Sequence, residues 1–141
     1  MSLEENKALV RRFIEAFNKQ DVSLLVDLTA PNYVNYTKGY AIEGAEQAVK
    51  LDIKGFPDIH MTIEDLIAEG DKVCVRMTLT GTHTGEYLGV APTGKKIRIR
   101  NICIYRIVDG KIAEGWTDFN FYQDVLDSFE KIGFIEYTEK A

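Results

Sequence analysis

From residue 61 to residue 121 the chain is written in β-prone segments. Residues 61–68, 72–80, 96–108 and 111–121 are rich in Ile, Val, Thr and Tyr. They are divided by Glu69-Gly70-Asp71, a glycine-rich loop and Asp109-Gly110. Branched and aromatic side chains suit a pleated, half-buried surface, and a tight turn returns a strand beside the one before it. The expectation is therefore four antiparallel strands in meander order. Strands this long must twist and curl together, and the concave face of such a sheet becomes a pocket.

Helical spacing precedes the strands. Ser2-Leu3-Glu4-Glu5 has the S-x-x-E form of a capping box, and Leu9, Val10, Phe13, Ile14 and Phe17 then recur on one side of a helix reaching about Asn18. Asp21 caps a short second helix through Leu24, Leu25 and Leu28, with Pro31 beyond it. Residues 32–36 are extended, and a third helix over about 44–54 ends before Gly55-Phe56-Pro57-Asp58. Val125, Leu126, Phe129 and Ile132 predict a last helix over 121–132, closed by Gly133 and Phe134. Helices grouped before and after antiparallel strands make an α+β domain, with the helices packed on one sheet face. The 141 residues suffice for one such domain and its core.

Composition excludes several function classes. A formal charge of −5 with intermixed signs does not suit a phosphate backbone, which needs clustered Lys and Arg. The one basic cluster, Lys95, Lys96, Arg98 and Arg100, alternates with Ile97 and Ile99 as the solvent face of a strand does. Nucleic acid is not an expected partner. No apolar run approaches the ~20 residues of a membrane-crossing helix and no signal-peptide pattern opens the chain, so no membrane partner and a cytoplasmic location are expected. Cys74 and Cys103 lack metal-type spacing and read as buried thiols; His60 and His83 are too far apart to suggest a metal site. No Ser-His-Asp order and no nucleotide-binding glycine motif is present.

The last hairpin gathers polar residues in an unusual place. Asp109-Gly110 is a two-residue hairpin signal, and it sets the register of its flanking strands. With Val108 opposite Lys111, Tyr105 faces Glu114, Cys103 faces Trp116 and Asn101 faces Asp118. Directly opposed residues share one sheet face, so this register places Asn101, Cys103, Tyr105, Glu114, Trp116, Asp118 and Asn120 together. A carboxylate beside an indole and away from water suits proton exchange near neutral pH, and neighbouring amides suit an oxygen that gains negative charge. A buried Asp satisfied by those amides is the competing reading. His83, in Gly81-Thr82-His83-Thr84-Gly85, fits either a loop role or a pocket mouth. Tyr33, Tyr36 and Tyr40 fit either a lid over the pocket or plain packing.

The stretches "GFPDIHMTIEDLIAEGDKVCVRMTLTGTHTGEYLGVAPTGKKI" and "IYRIVDGKIAEGW", with weaker support from helix 1 and "APNYVNY", resemble the SnoaL-like polyketide cyclase family of the NTF2-like superfamily. The resemblance implies a strongly curved antiparallel sheet closed by helices into a cone, often a homodimer through the sheet. It also implies a site without cofactor or metal, in which a carboxylate on the last long strand assists an intramolecular aldol closure. Members commonly carry that Asp four residues after the Trp, where this chain has Asn120; Asp118 lies one period-two step earlier. After Asn35 the family often has His, and this chain has Tyr36.

Two functions are therefore expected of the sequence. The first is a cyclase-like or ketosteroid isomerase-like acid/base enzyme acting on a small hydrophobic carbonyl compound. In it Asp118 is catalytic, and Asn35, Tyr36, His83, Asn101, Cys103, Tyr105, Trp116 and Asn120 bind substrate. The second is a non-catalytic binder of a small hydrophobic ligand.

Overall fold

In the computed structural model, residues 2–37 and 40–119 are described. The expected last helix and Asn120 lie outside them. The order is α1 (Leu3–Asn18), α2 (Val22–Asp27), β1 (Thr29–Thr37), β2 (Tyr40–Glu43), α3 (Ala45–Gly55), β3 (His60–Glu69), β4 (Lys72–Thr82), β5 (Lys96–Val108) and β6 (Lys111–Phe119). The expected α+β class and the four-strand meander are both present, and β1 and β2 extend the meander into a six-stranded sheet of order β2-β1-β6-β5-β4-β3.

The helices begin where their caps dictate. Ser2 accepts the Glu5 amide while Glu5 reaches back to Ser2, which completes the capping box and satisfies amides that the first turn leaves open. Leu9, Val10, Phe13, Ile14 and Phe17 then bury one side of α1 in the core. At the helix end Asn18 exchanges two hydrogen bonds with the backbone of Met61, 2.9 and 2.7 Å, which pins α1 to β3. Asp21 caps α2 through the Leu24 amide.

Parity along the strands decides what faces the core. On β4 and β5, Val73, Val75 and Met77 stand opposite Tyr105, Cys103 and Asn101, and all six are buried. Bulges adjust the sequence to this rule. On β3 one extra residue between Ile63 and Asp65 changes parity, so that Met61 and Ile63 before it, and Leu66 and Ala68 after it, all pack on the core. On β1 the ladder with β6 is irregular between Thr29 and Val34, the stretch that contains Pro31, which has no amide to donate.

The hairpin at Asp109-Gly110 forms as expected, with both residues at positive φ (50° and 74°) and Val108 opposite Lys111. The register beyond it is corrected. Ile107 pairs with Ile112, but Arg106 pairs with Glu114, so Ala113 is an extra residue on β6. One extra residue moves every later side chain of a strand to the opposite face. Gly115 and Thr117 consequently face inward beside Tyr105 and Cys103, whereas Glu114, Trp116 and Asp118 stand beside Arg106, Ile104 and Ile102 on the outer face.

Candidate active site

The inner wall is built from β1, β6 and β5. Asn35 lies in register with Gly115, which lies in register with Tyr105, so the three form one rung across three strands. Gly115 permits this rung: a Cβ there would meet Asn35 Nδ2 and the Tyr105 ring, each at 3.0 Å. The Asn35 amide donates to the Tyr33 hydroxyl (3.2 Å) and accepts from the Thr117 hydroxyl (3.1 Å). Thr117 also lies 3.3 Å from Cys103 Sγ. Asn101, one step further along β5, is 4% exposed, and its Oδ1 has no hydrogen-bond partner among the described residues. Phe13 of α1 packs edge-on against Tyr105, with ring centroids 5.6 Å apart, and lies 6.4 Å from Tyr33. A polar strip thus crosses an otherwise apolar concavity.

Burial sets the protonation of this strip. Desolvation pushes both the Tyr33 and Tyr105 hydroxyls above the ordinary phenol range, and it pushes the Cys103 thiol up to about 11 against the lowering effect of the Thr117 contact. Near neutral pH all three keep their protons. Since Tyr33 accepts from Asn35, its own O–H is retained for donation. The wall can therefore stabilise an oxygen that gains negative charge, but its hydroxyls cannot serve as bases.

Helix α3 spans the inner side of the sheet from β1 to β4. Gly44, at φ +79°, turns the chain into α3 while its amide bonds the Tyr33 carbonyl on β1. At the other end Phe56 packs on Gly81 of β4, where a Cβ would come within 3.2 Å of it. Between these anchors Ala45, Val49 and Phe56 are buried at helical spacing. Asp52 falls on the same stripe. Burial raises its carboxyl to about 7, opposed by a hydrogen bond from the Tyr87 side chain. This residue was missed in the sequence, although its signal is present there: a carboxylate between Val49 and Phe56 on the apolar face of a helix.

His83 is wholly buried beside Phe56, with ring centroids 5.4 Å apart. Its Nδ1 accepts the Thr93 amide (3.2 Å) and lies 2.9 Å from the Thr93 hydroxyl. Its backbone bonds Lys95 and Gly94. These bonds tie the two arms of the β4–β5 loop. They also leave the proton of a neutral imidazole on Nε2, an atom without a partner among the described residues.

Of the expected site residues, Asn35, Asn101, Cys103 and Tyr105 share the inner wall, and His83 is buried at the end of the cavity where Phe56 meets Gly81. Tyr36, Trp116 and Asp118 do not join them. Tyr36 pairs with Trp116 on the outer face, the two rings stacked 6.0 Å apart, and Asp118 is exposed opposite Ile102. The Ala113 bulge removes all of β6 beyond it from the expected face assignment. Tyr33 and Thr117 enter in their place. Among the described residues no group of three or more His, Cys, Asp or Glu is placed to hold a metal ion, and no helix is long and apolar enough to cross a membrane.

An enclosed polar strip on a curved sheet is shared by many proteins, so comparison with known chains decides the family. The description of SnoaL-like polyketide cyclases matches residues 7–125. The chain belongs to the SnoaL-like polyketide cyclase family. Aklanonic acid methyl ester cyclase AcmA of Streptomyces galilaeus is 31% identical over 125 residues, 83% of this chain and 87% of that protein. Among solved structures, AclR of the same organism, a suggested hydroxylase, superposes with a TM-score of 0.80 at 32% identity, covering 92% of this chain and 98% of its own. TsrD of Streptomyces laurentii gives 0.80 at 26% identity, covering 96% and 99%. The NTF2-like cone expected from the sequence is thus the fold of this SnoaL-like chain, and its polar strip occupies the inside of the cone.

Proposed function

We propose that this protein is a cofactor-free acid/base enzyme that closes a ring by intramolecular aldol addition within a small hydrophobic polyketide-type carbonyl compound. The carrying observation is the polar strip of Tyr33, Asn35, Thr117 and Asn101 on the buried inner wall of the sheet. Apolar walls hold and fold the substrate so that its reacting carbons meet, which makes the addition effectively unimolecular. The protonated Tyr33 and the two asparagine amides then meet the oxygen that becomes an enolate, in a site where water does not compete. Kinship with aklanonic acid methyl ester cyclases supports a substrate of that class. The likeness to AclR is a reminder that one cone can host different chemistries.

A binding protein without chemistry is the second reading. One observation favours it: none of the described residues of β1, β5 or β6 places a carboxylate on the inner wall, since Glu114 and Asp118 are both turned outward. Turnover separates the two. Aklanonic acid methyl ester is incubated with the wild type and with the double variant Asn35→Leu, Asn101→Leu. Cyclised product from the wild type, falling by about 10²–10³-fold in kcat for the variant, supports the enzyme. Tight binding without product from the wild type makes it a binder. For quaternary structure we propose a homodimer through the outer sheet face, which carries the Tyr36–Trp116 stack and Ile104.

A further inference from the structure

The geometry points to Asp52 of α3, not a carboxylate of the last strand, as the proton-transferring group of this pocket, with the Tyr87 hydroxyl as its hydrogen-bond partner. The inference rests on the acid/base reading proposed above. α3 runs from Tyr33 on β1 to Gly81 on β4, across the inner side of the sheet, and Ala45, Val49 and Phe56 form its buried stripe. Asp52 occupies a stripe position that packing alone would give to an apolar residue. It retains partial exposure although Val49 and Phe56, on either side of it along the stripe, are buried, so a small molecule can reach it.

Among the described residues no cation pairs with Asp52 to fix it as a permanent carboxylate. From its own helix, Lys54 is exposed and pairs at 3.9 Å with Glu86, itself exposed on the β4–β5 loop. α2, packed along α3, carries one ionisable side chain, Asp27, and it is exposed. β1 brings Tyr33, which stays protonated. The loop brings Tyr87, whose ring packs edge-on against Phe56 (5.2 Å) and abuts Gly55, so the hydroxyl is held from two sides. Burial then places the carboxyl near neutrality, at about 7, where it both accepts and returns a proton.

The step balances without a co-reactant. The Asp52 carboxylate takes the hydrogen from the carbon beside a carbonyl, and the C–H electron pair becomes the enolate. The enolate carbon attacks a second carbonyl carbon of the same molecule; one C–C bond forms as the C=O π pair moves to oxygen. The proton on Asp52 returns to that oxygen, so the product is an isomer of the substrate and the carboxylate is restored.

The experiment follows deuterium entry at the α-carbon of aklanonic acid methyl ester in D2O, together with cyclisation, for wild type, Asp52→Asn, Asp118→Asn and Tyr87→Phe between pH 5 and 9. Since the carboxylate is the base, wild-type kcat/KM rises with pH and levels above about 7. Asp52→Asn loses 10²–10⁴-fold in both readouts with an unchanged circular dichroism spectrum, and Asp118→Asn matches wild type. Tyr87→Phe removes the bond that favours the ionised form, and its pH profile moves to higher pH. Exchange without ring closure, lost in Asp52→Asn, keeps Asp52 and sinks the cyclase reading. Wild-type-like exchange in folded Asp52→Asn, or no exchange by wild type, overturns Asp52. Should Asp52→Asn not fold, an unshifted Tyr87→Phe profile overturns it equally.

Discussion

At the scale of single residues, the inner wall depends on an absent side chain. Gly115 lets Asn35 and Tyr105 approach β6, and both neighbours are held elsewhere, Asn35 by Tyr33 and Thr117 and Tyr105 by Phe13. A methyl group at 3.0 Å from each forces one of them to move. Gly115→Ala is therefore expected to destabilise the fold by about 1–3 kcal/mol, the usual cost of overpacking. That corresponds to a melting point lower by roughly 2–4 °C per kcal/mol at this chain length. Calorimetry checks it; a variant melting within a degree of wild type would show that the wall yields freely. The sequence carried this signal faintly, since a glycine inside a strand marks a close approach of neighbouring groups. Asp52 was legible in the same way, as a polar break in the Ala45, Val49, Phe56 stripe. Neither stands out until the neighbouring elements are in place, because the reason for each lies on a different part of the chain.

At the scale of elements, the helices and the four-strand meander were legible because local periodicity and caps specify them. The Ala113 bulge was not. Its flanks, Lys111-Ile112 and Glu114-Gly115-Trp116, keep ordinary alternation on both sides, so the inserted residue leaves no local mark, yet it reverses which face Trp116 and Asp118 occupy. Likewise the parallel pairing of β1 with β6 joins segments about eighty residues apart, as Tyr36 with Trp116 shows, and no local pattern encodes it. Deleting Ala113 tests how firmly the bulge sets the site. Without Ala113, regular pairing from the hairpin sets Ile112 opposite Ile107, Glu114 opposite Arg106 and Gly115 opposite Tyr105, so every later side chain keeps its face and only the local bend of the bulge is lost. The expected outcome is a cooperative melt, lowered by a few degrees, in thermal unfolding followed in the near ultraviolet. Loss of cooperative unfolding would mean that the bend at Ala113, and not only the register, holds the sheet together.

At the scale of the whole molecule, the two faces of the sheet divide the work. The inner face carries the polar strip; the outer face is a mixture that a lone subunit would leave in water, with Tyr36 41% and Ile104 37% exposed around Trp116. Its charges are largely satisfied within the chain: Arg106 pairs with Glu114, and Arg76 bonds Asp65 at 2.7 Å. A second copy meeting this face would cover aromatic and aliphatic surface without stranding those ions, and a two-fold axis would set each Tyr36–Trp116 stack against the same patch of its partner. Sedimentation at micromolar concentration is expected to give twice the 16.0 kDa of the chain. Trp116→Glu puts a carboxylate into the centre of that contact and should shift the mass to the monomer, because a desolvated, unpaired charge costs several kcal/mol. Its turnover should survive, since Trp116 points away from the pocket. A monomeric wild type would overturn the dimer, and a variant that stays dimeric would move the contact off this face. A monomer that has also lost turnover would mean that the curvature of the sheet, and with it the inner wall, is held by the partner.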